Sequence, residues 1–409
     1  MLALLTLVHV FYALDRTIPS IIAEPVKQAF LLSDTQLGLL LGLAYGASFA
    51  VASLFIGPVI DRSNRIRLVA LMLLVWSAAT AVSGLATGFV MLLVMRVLVG
   101  IAEAGSSPAA FSLISDVFPA ARRGTAIGVY KIGAPVGILL ASLIGGFLAQ
   151  QYGWRAAFLV AGIPGLLLAF VAWRYLSEPP RESSAVGGPA AAPASVREVA
   201  LALWNLPGAV PLILGIVTIV FSGAGVSAFV VPFLQRVHGM SLAEAGTLFA
   251  LASSLGTLTP LALGMIADRM AHGGLHRSLR FSAMTAILAL ACGLLMLLAP
   301  SQFLATAGLI LWQMLVLGVT TPNYAALLSI VPSAMRGTVT ALLMLGTNLV
   351  GLGGAPTVVG ILSDLMGGGL ALRQALVIVL CFAVPAALLF ARSAVQLRRE
   401  SARRAAVGA

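Results

Sequence analysis

Residues 119–125 read PAARRGT and residues 332–338 read PSAMRGT, so a Pro, an Arg, a Gly and a Thr recur at one fixed offset of 213 positions. Two further pairs keep the same order. Ser33-Asp-Thr-Gln36 is echoed by Ser241-Leu-Ala-Glu244, and Gly38 and Gly246 stand five positions after the two serines. Gly57-Pro-Val-Ile-Asp61-Arg62 is echoed by Gly264-Met-Ile-Ala-Asp268-Arg269. The Ser-x-x-Gln/Glu pairs are capping-box patterns, which satisfy orphan backbone donors at a helix start. Three correspondences in one order predict a chain built from two copies of the same helical unit.

Composition says where that unit sits. Of 409 residues, 60% are hydrophobic and only 9% are charged, outside the range of soluble domains. A helix needs about 20 apolar residues to cross a bilayer. Runs of that kind, read between Gly, Pro and charge breaks, fall near 1–22, 35–60, 67–87, 90–115, 125–150, 155–176, 209–234, 242–267, 279–299, 303–330, 338–364 and 373–391. The fold class expected is an all-α membrane protein of twelve spans in two pseudo-symmetric bundles. Residues 1–176 and 208–391 would form the two six-helix bundles. Residues 177–207, rich in Pro, Gly, Ala and Ser, read as a flexible cytoplasmic linker, and 392–409 as a basic cytoplasmic tail. The first span lacks the basic n-region and cleavage site of a removable signal.

The formal charge of +11 could suggest nucleic acid, but its distribution points to topology. Most of the Lys and Arg residues fall in loops and tails that would share one face, whereas Lys27, Arg155, Arg236 and Arg373 fall on the other. By the positive-inside bias both termini are cytoplasmic, placing the chain in the cell (inner) membrane. Cys292 and Cys381 lie in apolar runs and read as small hydrophobes. No HExxH, GxSxG, Walker loop or cysteine cluster appears, so nothing assembles a nucleophile, a metal site or a cofactor site. An enzyme is not expected, nor an obligatory partner protein, and the chain reads as a monomer.

Ionised groups are costly inside a bilayer, by roughly 2.5–3.5 kcal/mol on insertion scales, so each needs a partner or a wet cavity. Asp15 and Arg16 lie in the first span, Arg96 and Glu103 in the fourth, and Lys131 in the fifth. The second half offers only neutral polar groups inside its spans, among them Gln313, Asn323, Tyr324 and Asn348. Arg96 and Glu103, seven residues apart, share a helix face about 10 Å apart along the axis, which leaves room for a third group such as Asp15. A carboxyl balanced between desolvation and a nearby guanidinium can load and release a proton. Asp15 and Glu103 are therefore the candidate proton-coupling pair, with Arg16 and Arg96 tuning them or holding an anionic headgroup; the competing reading is an ion-pair cluster that only fixes helix packing. Lys131 reads as a residue that snorkels to water or as an anion ligand in the cytoplasmic mouth. His9 reads as a packing histidine. Glycines in spans five and eleven would let neighbouring backbones approach closely.

The chain resembles the major facilitator superfamily of secondary transporters. The stretch Gly57–Arg67 is similar to that superfamily's loop motif, with Asn64 where a glycine is usual, and Arg96-Val-Leu-Val-Gly100-Ile-Ala-Glu103 is similar to its fourth-span motif. LDRTIPS, SDTQLGLLLGLAYG, GIAEAGSSPAAFSLISDVFP and YKIGAPVG resemble the bacterial branch of the Spinster family. The resemblance implies alternating access about a cavity lined by spans one and four, where Asp15, Arg16, Arg96 and Glu103 would meet. It implies an amphipathic lipid cargo such as a lysophospholipid or sphingoid phosphate, moved with protons; a hydrophobic drug or organic anion is the alternative. Asp61 would dock on the start of span eleven near Arg336, where the helix dipole is positive. Gly57, Arg62, Arg65, Asp268 and Arg269 would complete matching latches, and Asp116 would pair with Arg122 and Arg123 as a further lock.

Overall fold

A computed structural model describes residues 1–179 and 196–407; the linker residues 180–195 lie outside it. Every regular element among the described residues is helical. Among the described residues twelve helices are long and apolar enough to cross a membrane: α1 Leu2–Ile21, α2 Asp34–Arg62, α3 Arg65–Ser83, α4 Phe89–Val117, α5 Arg122–Tyr152, α6 Trp154–Tyr175, α7 Ala209–His238, α8 Leu242–Ala271, α9 Leu275–Leu298, α10 Gln302–Ile330, α11 Arg336–Leu365 and α12 Gly369–Arg403. Two helices come in addition. Ala23–Phe30 sits between α1 and α2, and Val196–Asn205 forms within the stretch read as flexible linker. Its Val199 and Leu203 are buried, so apolar anchoring fixes that end.

The duplication is visible in local geometry. At both capping boxes the serine hydroxyl accepts from the backbone three residues on while the Gln36 or Glu244 side chain accepts from the serine N–H. Arg123 Nε donates to the Phe118 carbonyl and Arg336 Nε to the Val331 carbonyl. In each half the arginine of the repeat thus folds back onto the residue that precedes the Pro.

By packing, the chain separates into two compact units. The first comprises Met1–Ala185, Ala228–Ser254 and Pro356–Leu372, and the second Val186–Ser227, Leu255–Ala355 and Arg373–Ala409. Trp76, Leu73, Leu113 and Tyr130 centre the core of the first, and Phe390, Leu212, Ile216 and Leu327 that of the second. In the first unit, Gly133 and Gly137 of α5 face the α1 backbone at Thr6 and Val10, and Gly146 faces Ala243 of α8, while Gly124 and Gly128 face open space.

Prolines set the breaks. A proline cannot donate to the carbonyl four residues back and its ring crowds that carbonyl. Pro108 therefore interrupts α4 at Ala104–Gly105, and Pro135 interrupts α5 at Ile132. Wider π turns occur at Leu39–Leu43 in α2, Ile144–Leu148 in α5 and Thr347–Gly354 in α11. Gly360 of α11 meets the α2 start so closely that a Cβ there would collide with the Asp34 carbonyl and lie 2.9 Å from the Thr35 Cα. Gly360→Ala should cost about 1–3 kcal/mol, the usual penalty of overpacking, read as a lower Tm in a fluorescence melt. A wild-type Tm would mean that α2 and α11 are apart at this point in the resting protein.

Candidate functional site

Pro19 organises the centre of the first unit. Its missing N–H leaves the Asp15 carbonyl without its helical donor, and Arg96 Nη1 of α4 reaches that carbonyl at 3.5 Å. The arginine thus meets the backbone of Asp15 and not its carboxylate. Asp15 is wholly buried, and among the described residues no donor stands within hydrogen-bond geometry of its carboxylate oxygens, Thr80, Glu103 and Arg96 being its neighbours. Arg96 is buried too, with Nε unpartnered. An isolated buried charge costs several kcal/mol, so the pair Asp15 and Arg96 is far from a relaxed ion pair.

Glu103 ends the first segment of α4, at the Pro108 break. Two features bring Tyr45 of α2 to it. The π turn at Leu39–Leu43 shifts the helical phase just before Tyr45, and Gly100 of α4 lets α2 come close, since a Cβ there would lie 2.6 Å from the Tyr45 carbonyl oxygen. The Tyr45 hydroxyl donates to Glu103 Oε2 at 2.7 Å, while Oε1 has no partner among the described residues. Arg16 closes the other side. Its guanidinium lies 5.4 Å from the Tyr45 ring centroid, within cation–π range, and its Nη1 donates to the Tyr12 hydroxyl at 3.3 Å. Tyr12 stacks on His9 at 5.3 Å, and His9 stacks on Tyr130 at 4.3 Å. The His9 ring therefore joins an aromatic run leading along α1 toward Arg16.

Asp15, Arg16, Arg96 and Glu103 come together in the first unit. Lys131 stands apart from them: it is exposed, at the Pro135 break of α5, within electrostatic reach of His9. Gln313, Asn323, Tyr324 and Asn348 lie in α10 and α11 of the second unit. The Asn323 and Asn348 amides donate to carbonyls of their own helices, Val319 and Met344.

The loop charges are arranged differently from the expected lock at Asp116. Arg65, almost fully buried, takes Asp116 as its partner, donates to Ser112 Oγ at 2.8 Å, and pairs through Nε with Glu178 Oε1 at 2.7 Å. Arg122 is exposed and Arg123 is turned back onto Phe118. Pro119 separates the two helices, and both arginines stand in the first turn of the next one. Gly57, Asp61, Arg62, Asp268 and Arg269 are exposed or nearly so.

A second charged centre, which the sequence did not single out, also lies in the first unit. Asp34, fully buried at the start of α2, accepts two hydrogen bonds of 2.9 Å from the guanidinium of Arg236 at the end of α7. Lys27 also pairs with it, and Ser363 Oγ of α11 donates at 2.6 Å. Arg236 in turn donates from Nε to Glu24 at 2.8 Å. Asp364 of α11 accepts from the backbone N–H groups of Asp34 at 2.9 Å and Thr35 at 2.7 Å, which are orphan donors of a helix start. One carboxylate thereby ties α2, α7, α11 and the short helix Ala23–Phe30. Lys27 and Arg236 stand out in the sequence as rare basic residues expected on the non-cytoplasmic face, whereas their acidic partner reads there only as a capping-box residue.

Comparisons with known proteins agree with this architecture. An "MFS-type efflux pump" of Mycolicibacterium smegmatis is 32% identical over 364 residues, spanning 88% of this chain and 83% of that protein. A "Hexuronate transporter" of Bacillus subtilis is 31% identical over 179 residues, 44% of this chain and 42% of that one. Among solved structures, a bacterial homologue of the human lysosomal transporter Spinster, in an inward-facing and unoccupied conformation, superposes with a TM-score of 0.86 at 27% identity, over 97% of each chain. The profile of the Major Facilitator Superfamily matches residues 5–355. With twelve membrane helices, the fold of these transporters and a family match over most of its length, the chain belongs to the Major Facilitator Superfamily and is a transporter, not an enzyme.

Proposed function

We propose that the chain is a proton-coupled secondary transporter working by alternating access, and that its cargo is an amphipathic molecule with an anionic headgroup, such as a lysophospholipid or sphingoid phosphate. It works as a single chain in the cell (inner) membrane with both termini cytoplasmic. The observation that carries the reading is the buried meeting of Asp15, Arg96, Glu103, Tyr45 and Arg16. Two carboxyl groups lacking full complements of donors stand beside two guanidinium groups in a medium where an unbalanced charge is expensive. Loading a proton on Asp15 or Glu103 changes that balance, and so does an anionic headgroup arriving at Arg16 or Arg96. Proton and cargo thus act on the same charge balance, which is what coupling requires.

The Asp34 centre serves as the gate at the opposite end. While Arg236, Lys27, Ser363 and Asp364 hold α2 against α7 and α11, that end stays shut, and releasing it is the second half of the cycle. Gly57, Asp61, Arg62, Arg65, Asp268, Arg269 and Arg336 are the latch residues of the cytoplasmic end. A second reading, export of a hydrophobic drug or a small organic anion, draws on the names of the relatives above, since a hexuronate is a small carboxylate.

Purified protein in liposomes with an imposed pH gradient tests both. Uptake of a lysophospholipid or sphingoid phosphate should follow the gradient, and Asp15→Asn should lower the gradient-driven rate by about tenfold, some 1.4 kcal/mol. Flux of a small carboxylate in its place would select the second reading, and uptake by Asp15→Asn with unchanged pH dependence would remove Asp15 from the mechanism.

A further inference from the structure

Between α3 and α6, on the outer surface of the first unit, two hollows adjoin. One is a groove walled by Leu71, Leu74 and Phe170. The other is polar and is lined by Asn64, Arg174 and Ser177. Arg67 and Trp173 line both, so the two form one continuous channel with an apolar limb and a polar head. Leu71, Leu74, Phe170 and Trp173 are 45–59% exposed, so this apolar wall faces the surroundings of the protein and not its core.

The polar head has a defined charge. Its only acid, Glu178, is already engaged: Oε1 holds Arg65 and Oε2 accepts from the Ile66 N–H at 3.1 Å. Arg67 and Arg174 are exposed and form no ion pair among the described residues. Asn64 spends its side-chain oxygen on the Arg67 N–H at 2.8 Å, the N-cap of α3, which leaves its amide hydrogens as donors. Among the described residues the head therefore offers cationic and neutral donors, and its one carboxylate, Glu178, is taken up by Arg65 and the Ile66 N–H. It lies at a helix end, where a membrane's headgroup layer falls, and Trp173 stands at the junction, the place such side chains take at an interface.

We propose that this channel binds an anionic phospholipid of the surrounding leaflet. The phosphate sits between Arg67 and Arg174, headgroup hydroxyls meet Asn64 and Ser177, and one acyl chain lies along Leu71, Leu74 and Phe170. Clusters of Arg beside an apolar wall recognise lipids in this way. The occupant braces the node at Arg65, which joins the start of α3, the end of α4 at Asp116 and the segment after α6 at Glu178. The site is separate from the Asp15 centre and does not rest on the transport reading.

Native mass spectrometry of the full chain in detergent, titrated with phosphatidylglycerol, with phosphatidylcholine or with inorganic phosphate, tests it. Phosphatidylglycerol should be retained in defined stoichiometry and should raise the Tm, whereas phosphatidylcholine and inorganic phosphate should do neither. The double variant Arg67→Ala, Arg174→Ala should lower phosphatidylglycerol retention about tenfold, while Arg67→Lys, Arg174→Lys keeps most of it and Glu103→Gln keeps all of it. Both arginines are on the surface, and melting in phosphatidylcholine alone checks that each variant is folded. Equal retention of the two lipids, or wild-type retention by the double Ala variant, would overturn the proposal.

Discussion

Glu103→Gln should abolish accumulation driven by a pH gradient, by about tenfold or more, while exchange of labelled for unlabelled cargo at fixed pH continues. The separation of the two readouts follows from what glutamine preserves. It has nearly the same volume, and its amide oxygen can still accept from the Tyr45 hydroxyl that now lies 2.7 Å from the carboxylate. Packing at the Gly100 approach of α2 to α4 is left as it is. What disappears is the capacity to take and release a proton and the negative charge that Arg16 feels through the Tyr45 ring. A transporter that binds and reorients but no longer counts protons loses only the driven component. Tyr45→Phe is the companion test: it keeps the carboxylate and removes its one donor, so the driven rate should survive with a displaced pH midpoint. The decisive measurement is the ratio of driven uptake to exchange in liposomes. Loss of both activities in parallel in a folded Glu103→Gln protein would show that the residue shapes the site without coupling it.

Asp34→Ala should have the second large effect. The carboxylate is the shared partner of Arg236, Lys27 and Ser363, and it is buried. Removing it takes this acceptor from Lys27 and Ser363 and leaves Arg236 with Glu24, and breaking a buried ionic group in this way costs about 3–5 kcal/mol. A loss of that size should loosen the proposed gate. Thr357, whose hydroxyl donates to the Gly38 carbonyl at 3.2 Å across the α2–α11 contact, is a suitable reporter. A cysteine at position 357 should become several-fold more reactive to an impermeant maleimide in the Asp34→Ala background. Unchanged reactivity would mean that backbone contacts such as Gly360 on Asp34 hold that end without the charges.

Much of the fold was legible in the sequence because the bilayer imposes a simple rule on it. Apolar runs of fixed length mark spans, and the twelve read from composition overlap the twelve helices within a few residues at most boundaries. The repeat was legible because capping chemistry is local: Ser33 with Gln36, and Arg123 with Phe118, each act within five residues. Asp15, Arg16, Arg96 and Glu103 stood out as charges in apolar surroundings, and the structure brings them together. What the sequence withheld were partners set by tertiary packing. Tyr45 looked like one aromatic residue among many, and only the π turn before it and Gly100 opposite it bring its hydroxyl to Glu103. Asp34 gave little sign of its importance, since only Lys27 of its partners is near in sequence, while Arg236 and Ser363 stand 202 and 329 positions away. Asp116 was matched to its neighbours in sequence, but packing pairs it with Arg65, 51 positions earlier.

The widened turns carry a geometric corollary. Each π turn accommodates one residue more than an α turn, and one residue is worth about 100° of rotation around a helix axis. Everything that follows Thr347–Gly354 is rotated by that angle relative to an uninterrupted α11. Ser363 and Asp364 lie beyond it, and it is this rotation that aims them at Asp34 and the Thr35 amide. A change in the winding of that glycine-rich segment, more than two turns upstream, would turn Ser363 and Asp364 relative to α2.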